Sequence, residues 1–298
     1  MASTQQKELQ KLYGSISNIS DEELERAVVD SERIMRAPAG LLLAQAGLDG
    51  STTRPFSLLD NACGVGPIMA HLQDNIDMKV LSESKIVCAD LNGNLVDMVK
   101  RRVTKYGWVN IKTAIVDAQN SGFSDQSFSH VTINFAMHII PKPEDVLQDT
   151  MRILKPGGVF AMTVWHKDNK GWVTDLRSCF EALPFDAPLP DPLPMAIHGK
   201  HQWTDPEGVE KELRDAGFEN VRVETVPLVT RVHSAEDYLS TYGMMKDWMV
   251  NTHWSEESKL KAKDMLDEHI VRHLKERHGD QGWDLHWTAV LATCQKPE

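Results

Sequence analysis

From residue 56 onward the chain alternates short apolar runs with stretches long enough for helices, and few architectures accept that rhythm. The runs are Phe56–Leu59, Ile86–Ala89, Thr113–Val116, His130–Phe135 and Val159–Trp165. Between most of them lie helical stretches such as LNGNLVDMVKRRVTKYG and PEDVLQDTMRILKPGG. Continuously apolar strands need cover on both faces, so they predict a parallel sheet with helices on either side. Right-handed crossovers turn that pattern into a doubly wound α/β domain.

The flanks read differently. Ser20 followed by Glu23 is a capping box that opens a helix, with Leu24, Val28, Ile34 and Met35 on its apolar side. Pro38 and Gly40 predict an interruption, after which LLLAQAGL resumes as a short helix. Beyond Trp165 the alternation loosens, and LPFDAPLPDPLP, with five prolines in twelve residues, predicts an irregular loop. The next helix has Thr204 or Asp205 as its cap, Pro206 in its first turn and Gly217 at its end. FENVRVETVPL reads as a strand, Ser234 to about Arg277 as a helical stretch, and HWTAVLATCQK as the last strand.

The 298 residues carry a net charge of −11, against the basic surplus that nucleic-acid binding calls for. Four scattered cysteines, with no CxxC, suit a reducing compartment. The polar start, MASTQQKELQ, lacks a signal peptide's apolar stretch, and no apolar run approaches the ~18 residues of a membrane span. A cytoplasmic protein is expected, without nucleic-acid or membrane partners. Its oligomeric state is not legible in the sequence.

The most informative segment is SLLDNACGVGPIM, Ser57 to Met69, where an apolar strand runs through a glycine turn into a helix. That arrangement receives nucleotide-like ligands. Gly64 and Gly66 remove side chains where a ligand must approach the backbone, and Asp60 offers a carboxylate to an ammonium group. The third glycine of GxGxxG would fall on Met69, and an acid before the turn would repel a pyrophosphate. A cationic ligand such as S-adenosylmethionine (SAM) suits it better. Asp90 ends the next strand, placed for both hydroxyls of a ribose. Asp117 and Ala118 follow the third strand, where an adenine edge could lie, and Asn134 with Phe135 ends the fourth beside the glycine turn. Three acids at successive strand ends favour a ligand over plain turns.

DNACGVG, AD, VDAQ and LKPGGVFAMTVW resemble the motif series of class I SAM-dependent methyltransferases. LDNACGVG, the KRR at Arg101, GWVN, RIL and WSEE are similar to fungal small-molecule methyltransferases of secondary metabolism, the gliotoxin thiomethyltransferase type among them. The resemblance covers at least residues 56–165. It implies a Rossmann-like, doubly wound seven-stranded sheet with N-terminal helices and a late helical lid insertion. The divisions expected are an N-terminal helical lid over 1–50, a SAM-binding core over 51–230, a lid insertion over 231–284 and a final core strand over 285–298. It also implies that Asp60, Gly64 and Gly66 cradle the methionine part, Asp90 the ribose, and Asp117 with Ala118 the adenine, with Ala62, Cys63, Leu91, Asn134 and Phe135 as further cofactor-binding residues. One departure is visible: Ala62 stands where the family places its first glycine.

The acceptor side is less legible. His138 and His166 follow the fourth and fifth strands and are the candidate general bases, because histidine takes a proton near neutral pH. Tyr242, Met245 and Trp248 are candidates for an apolar acceptor pocket in the lid insertion. His269, His273 and His278 lack an HExxH pattern and sit among charged residues, so a solvated helix is expected and no metal. The expected activity is methyl transfer from SAM to sulfur, nitrogen or oxygen of a small hydrophobic natural product. The rivals are a SAM-binding rearrangement or cyclisation catalyst, a regulatory protein on the same fold, and, third, a nicotinamide-dependent reductase.

Overall fold

A computed structural model describes residues 20–193 and 195–298. Most of the polar start of the expected N-terminal lid, and Pro194 of the proline-rich loop, lie outside the described residues.

Seven strands form one sheet in the order β3-β2-β1-β4-β5-β7-β6. They are β1 Ser57–Asn61, β2 Lys85–Asp90, β3 Ile111–Ile115, β4 Phe128–Asn134, β5 Leu154–Trp165, β6 Glu219–Val232 and β7 Trp283–Gln295. The pairs β1–β2, β2–β3, β1–β4 and β4–β5 are parallel, and β7 runs antiparallel to β5, with Val159 opposite Gln295 and Trp165 opposite Ala289. The strand order reverses between β1 and β4, so their C-terminal ends flank the switch point at which open α/β sheets bind ligands. Every residue of β1 is buried, as an apolar central strand requires.

The described chain divides into two units. The sheet-bearing unit includes α1 (Asp21–Gln45), α2 (Pro67–Asn75), α3 (Met78–Glu83), α4 (Gly93–Tyr106) and α5 (Pro143–Ile153), and takes in Met195–Val226 and Ala289–Glu298. Its core joins Leu59, Val131, Phe160, Met162 and Val290 with Trp203 and Leu213, the last on α7 (Pro206–Asp215) once α6 (Val173–Glu181) has been counted in chain order. The second unit holds α6 and Pro227–Thr288, with α8 (Ala235–His253), α9 (Glu256–Ala262) and α10 (Leu266–His278).

One expectation about the helices is corrected. The N-terminal helix is not interrupted at Pro38: α1 runs through it, from a Ser20–Glu23 capping box with both hydrogen bonds made. Proline removes one backbone donor, but Ala39, Leu42 and Leu43 are fully buried immediately beyond it, and that packing outweighs one missing bond. Gly40 serves contact rather than termination, since a Cβ there would stand 2.4 Å from the His71 ring of α2. The helical stretch from Ser234 to Arg277 is divided into three helices. Trp254 leaves the helical conformation at the end of α8, and Ser255 caps α9 by accepting from the Ser258 amide.

The helical unit uses its polar residues for internal joints. Tyr238 donates to the Trp172 carbonyl (2.6 Å), and the Trp254 indole donates to the Pro188 carbonyl (3.1 Å). His269, expected on a solvated face, is buried against the Cys179 carbonyl at the end of α6, and His278 pairs with buried Asp175, which also accepts from the Trp283 indole (2.7 Å). Among the described residues no group of three or more His, Cys, Asp or Glu is placed to hold a metal, and no helix is long and apolar enough to cross a membrane.

Candidate active site

The end of β1 carries Asp60 and Asn61, both buried. Thr132, on the adjacent strand β4, donates to Asp60 Oδ1 (2.9 Å), leaving Asp60 Oδ2 and Asn61 Oδ1 buried with no protein partner. Buried polar atoms are nearly always satisfied, so two orphan acceptors at the end of one strand mark a place for donors from outside the chain. Burial, opposed by the Thr132 bond and reinforced by the charge of Asp90, pushes the Asp60 carboxyl up to about 7. A cationic ligand would reverse that shift.

The turn that follows is built from left-handed backbone. Ala62, Gly64 and Gly66 all have positive φ, at 55°, 54° and 85°. Ala62, the departure from the family motif, thus adopts the conformation for which glycine is the easy choice. Open space faces Gly64, where a Cβ would meet nothing within 4 Å, whereas one on Gly66 would meet Val99 at 3.4 Å. Gly66 then leads into α2, whose first residue is Pro67. Cys63 is buried and its amide donates to the Ala89 carbonyl (2.9 Å), tying the turn to β2.

Asp90 closes the arrangement. Its Oδ2 accepts from the Gly64 amide (3.0 Å) and its Oδ1 from the Asn92 amide (2.9 Å). The Leu91 amide also hydrogen-bonds this carboxylate, and the acceptor capacity that remains suits a ribose hydroxyl. Burial raises its carboxyl too, against the amide hydrogen bonds that lower it. Leu91 is exposed beside it and could cover a flat ring. Asp117 follows β3 and is already engaged with the Gln119 amide (2.9 Å) and side chain, next to buried Ala118. At the end of β4, Asn134 accepts from the Thr163 hydroxyl (2.6 Å). Phe135, at φ 54°, donates its amide to Thr163 and stacks on Trp165 with centroids 4.0 Å apart. All these positions stand on one edge of the sheet, at the C-terminal ends of β1 to β4.

The two histidines differ. His138 is buried, its Nδ1 has no partner, and burial together with nearby His198 lowers it to about 3. It is a neutral imidazole with an open acceptor or donor nitrogen, and a weak base. His166 is half-buried, directly after β5. Tyr242, Met245 and Trp248 lie on α8 in the helical unit. Tyr242 and Trp248 are buried, Tyr242 against Tyr238 and Trp287, and Met245 is half-buried. The sequence reading missed Thr132 and Thr163, hydroxyls in the middle of apolar strands. Such a residue needs a partner once buried, and that was the available signal.

The chemistry of this donor set fits SAM. Buried carboxylates, an orphan amide oxygen and an open glycine turn can hold an ammonium, a sulfonium and a ribose, and would repel a pyrophosphate. Comparison with known proteins agrees. The curated relatives include the methyltransferase tpcH of Aspergillus fumigatus, 27% identical across 89% of this chain and 93% of that protein. The acetylaranotin bis-thiomethyltransferase of Aspergillus terreus is 27% identical across 87% of this chain and 89% of its own length. Among solved structures, the [4+2]-cyclase SpnF shares the fold (TM-score 0.51, 17% identity, 88% of this chain and 80% of that one). So does a phosphoethanolamine N-methyltransferase of Haemonchus contortus solved with SAM (TM-score 0.50, 17% identity, 88% and 53%). The model of the ubiE/COQ5 methyltransferase family matches residues 6–182, and the chain belongs to that family. It is a SAM-dependent small-molecule methyltransferase with a Rossmann-like core.

Proposed function

We propose that this cytoplasmic enzyme methylates a thiol of a small hydrophobic natural product, with SAM seated on the Asp60–Gly66 turn and Asp90. The observation that supports the seat is the pair of buried, partnerless oxygens on Asp60 and Asn61, beside a turn bonded directly to Asp90. In this reading Asp60 receives the donor's ammonium group while Thr132 fixes its second oxygen. Asp90 orients the ribose, with Leu91 beside it, and Asp117 with Ala118 frames the adenine. SAM supplies an electrophilic methyl on a sulfonium, displaced in line, so the protein's main task is alignment.

Sulfur is favoured because the Aspergillus terreus relative, similar along nearly its whole length, is named for thiomethylation. The state of His138 supports the same choice. A neutral imidazole with its pKa near 3 gives little help to an alcohol, but a thiol near 8.5 needs little help to ionise. His138 would then orient the nucleophile through Nδ1, with His166 as the second candidate. Met245 and Trp248 on α8, with Tyr242, are the proposed acceptor contacts.

The test has two parts. Asp90→Ala should weaken SAM binding, read by calorimetry, by about 1–3 kcal/mol through lost hydrogen bonds. Incubation with SAM and a panel of thiol, amine and phenol acceptors should add one methyl mass to a thiol and release S-adenosylhomocysteine. A product of unchanged mass would favour rearrangement or cyclisation.

A further inference from the structure

Arg102 lies on α4, away from the strand ends, yet it reaches the cofactor turn. It is 6% exposed, and one guanidinium nitrogen donates to the Val65 carbonyl at 2.6 Å. Val65 is the residue between Gly64 and Gly66. The other terminal nitrogen pairs with Glu32 of α1. Glu32 also accepts from Arg36 (3.2 Å), and Arg36 pairs with Asp74 on α2, the helix that the turn opens. The guanidinium stands 4.6 Å from the centre of the Trp108 ring, which itself lies 3.7 Å from where a Cβ on Gly66 would be. Thus α1, α4 and the glycine turn meet at one buried cation, and the half-buried Arg36 extends the chain of charges to α2.

A turn with two glycines has wide conformational freedom and loses much entropy when ordered. A charge-assisted bond to its central carbonyl restricts that freedom before any ligand arrives. Arg102 can stay buried only while a carboxylate balances it, because an uncompensated buried charge is strongly unfavourable. Glu32 is that carboxylate, and it belongs to α1, about seventy residues earlier in the chain. Its removal should send the guanidinium toward water and free the Val65 carbonyl.

We propose that Glu32 and Arg102 are positioning residues for cofactor binding, acting through the Val65 carbonyl, so that helix α1 holds the glycine turn in its SAM-accepting geometry. This rests on the reading that SAM sits at that turn. Neither residue touches the donor. Their effect is on the affinity and order of the turn, and Gln at 32 keeps the shape while removing the charge. Lys at 102 keeps the charge but concentrates its donors on one nitrogen, so it loses the planar fork that spans Val65 and Glu32 in this geometry.

The experiment compares SAM and S-adenosylhomocysteine affinities by calorimetry for Glu32→Gln, Glu32→Asp, Arg102→Lys and Asp90→Ala, with melting temperatures. Val209→Ala, a core truncation on α7 ahead of the edge strand β6, controls for general destabilisation. Glu32→Gln and Arg102→Lys should weaken both ligands about tenfold, Glu32→Asp should recover part of that loss, and Val209→Ala should lower the melting temperature with affinity within twofold. Amide exchange of a peptide spanning residues 61–69 should quicken in Glu32→Gln and not in Val209→Ala. Affinity within twofold of wild type in Glu32→Gln, alongside a clear loss in Asp90→Ala, would overturn the positioning role and leave the SAM site standing. Unchanged affinity in Asp90→Ala would instead remove the site. Equal losses in Glu32→Gln and Val209→Ala for equal melting shifts would also overturn the proposal. Should Arg102→Lys fail to fold, the half-buried Glu32 variants decide.

Discussion

Asp60 is the residue on which the site's electrostatics turn. Its carboxyl moves from an ordinary 3.8 to about 7 because burial disfavours the charge, with Thr132 opposing and Asp90 reinforcing the shift. The folded protein therefore binds this proton more tightly than the unfolded chain does. Stability from this group is full below the unfolded value and falls as pH rises from 4 to 7, by up to about 4 kcal/mol for a shift of that size. Asp60→Asn should flatten that part of the melting-temperature profile. Ligand binding runs the other way: a cation selects ionised Asp60, so at pH 6 SAM binding should release a proton, detected as a buffer-dependent heat that the Asn variant lacks. Ala62 offers a second check. Its φ of 55° costs a non-glycine residue about 1–2 kcal/mol, partly offset by glycine's greater unfolded freedom. Ala62→Gly should raise stability by about 0.5–1 kcal/mol in denaturant unfolding.

Among the elements, the strands were the most legible. Four of the five core strands lie within two residues of their apolar runs, because a strand buried on both faces leaves a continuous apolar signature. Helix limits were less legible, since they depend on what packs beside them. Pro38 reads as a stop, but α1 continues through it over a buried apolar face. Gly40 reads as part of the same stop, yet its function is to let the His71 ring approach. Gly40→Ala should displace the half-buried His71 ring and so forfeit most of the roughly 1 kcal/mol that the same change yields in an open helix, measured by urea unfolding. A glycine needed only as a helix breaker would gain stability on the same change. The late helical stretch was legible as helical but not in its breaks: the chain turns at Trp254 and restarts under the Ser255 cap.

Across the whole molecule the donor-site candidates from Asp60 to Phe135 fall in the sheet-bearing unit, and Tyr242, Met245 and Trp248 in the helical one. That division predicts separable effects. Met245→Ala, at a half-buried position, should raise the acceptor KM about tenfold, a loss of about 1.4 kcal/mol, with SAM affinity unchanged. A KM equal to wild type in the folded variant would remove Met245 from the acceptor site.

The alternation of apolar runs, the acids at three strand ends and the glycine turn were local signals, and they sufficed for the fold class and the donor. Each is a short stretch whose chemistry is set by its own neighbours in sequence. The partners of those residues were not legible. Thr132 reaches Asp60 only because β4 pairs with β1, and Arg102 reaches Val65 and Glu32 only because α4 and α1 fold against the same turn. Such contacts join residues some forty to seventy positions apart, and the shifted carboxyl of Asp60 exists only when the surrounding sheet excludes water. Local chemistry is written along the chain; burial and long-range partners arise only when it closes on itself.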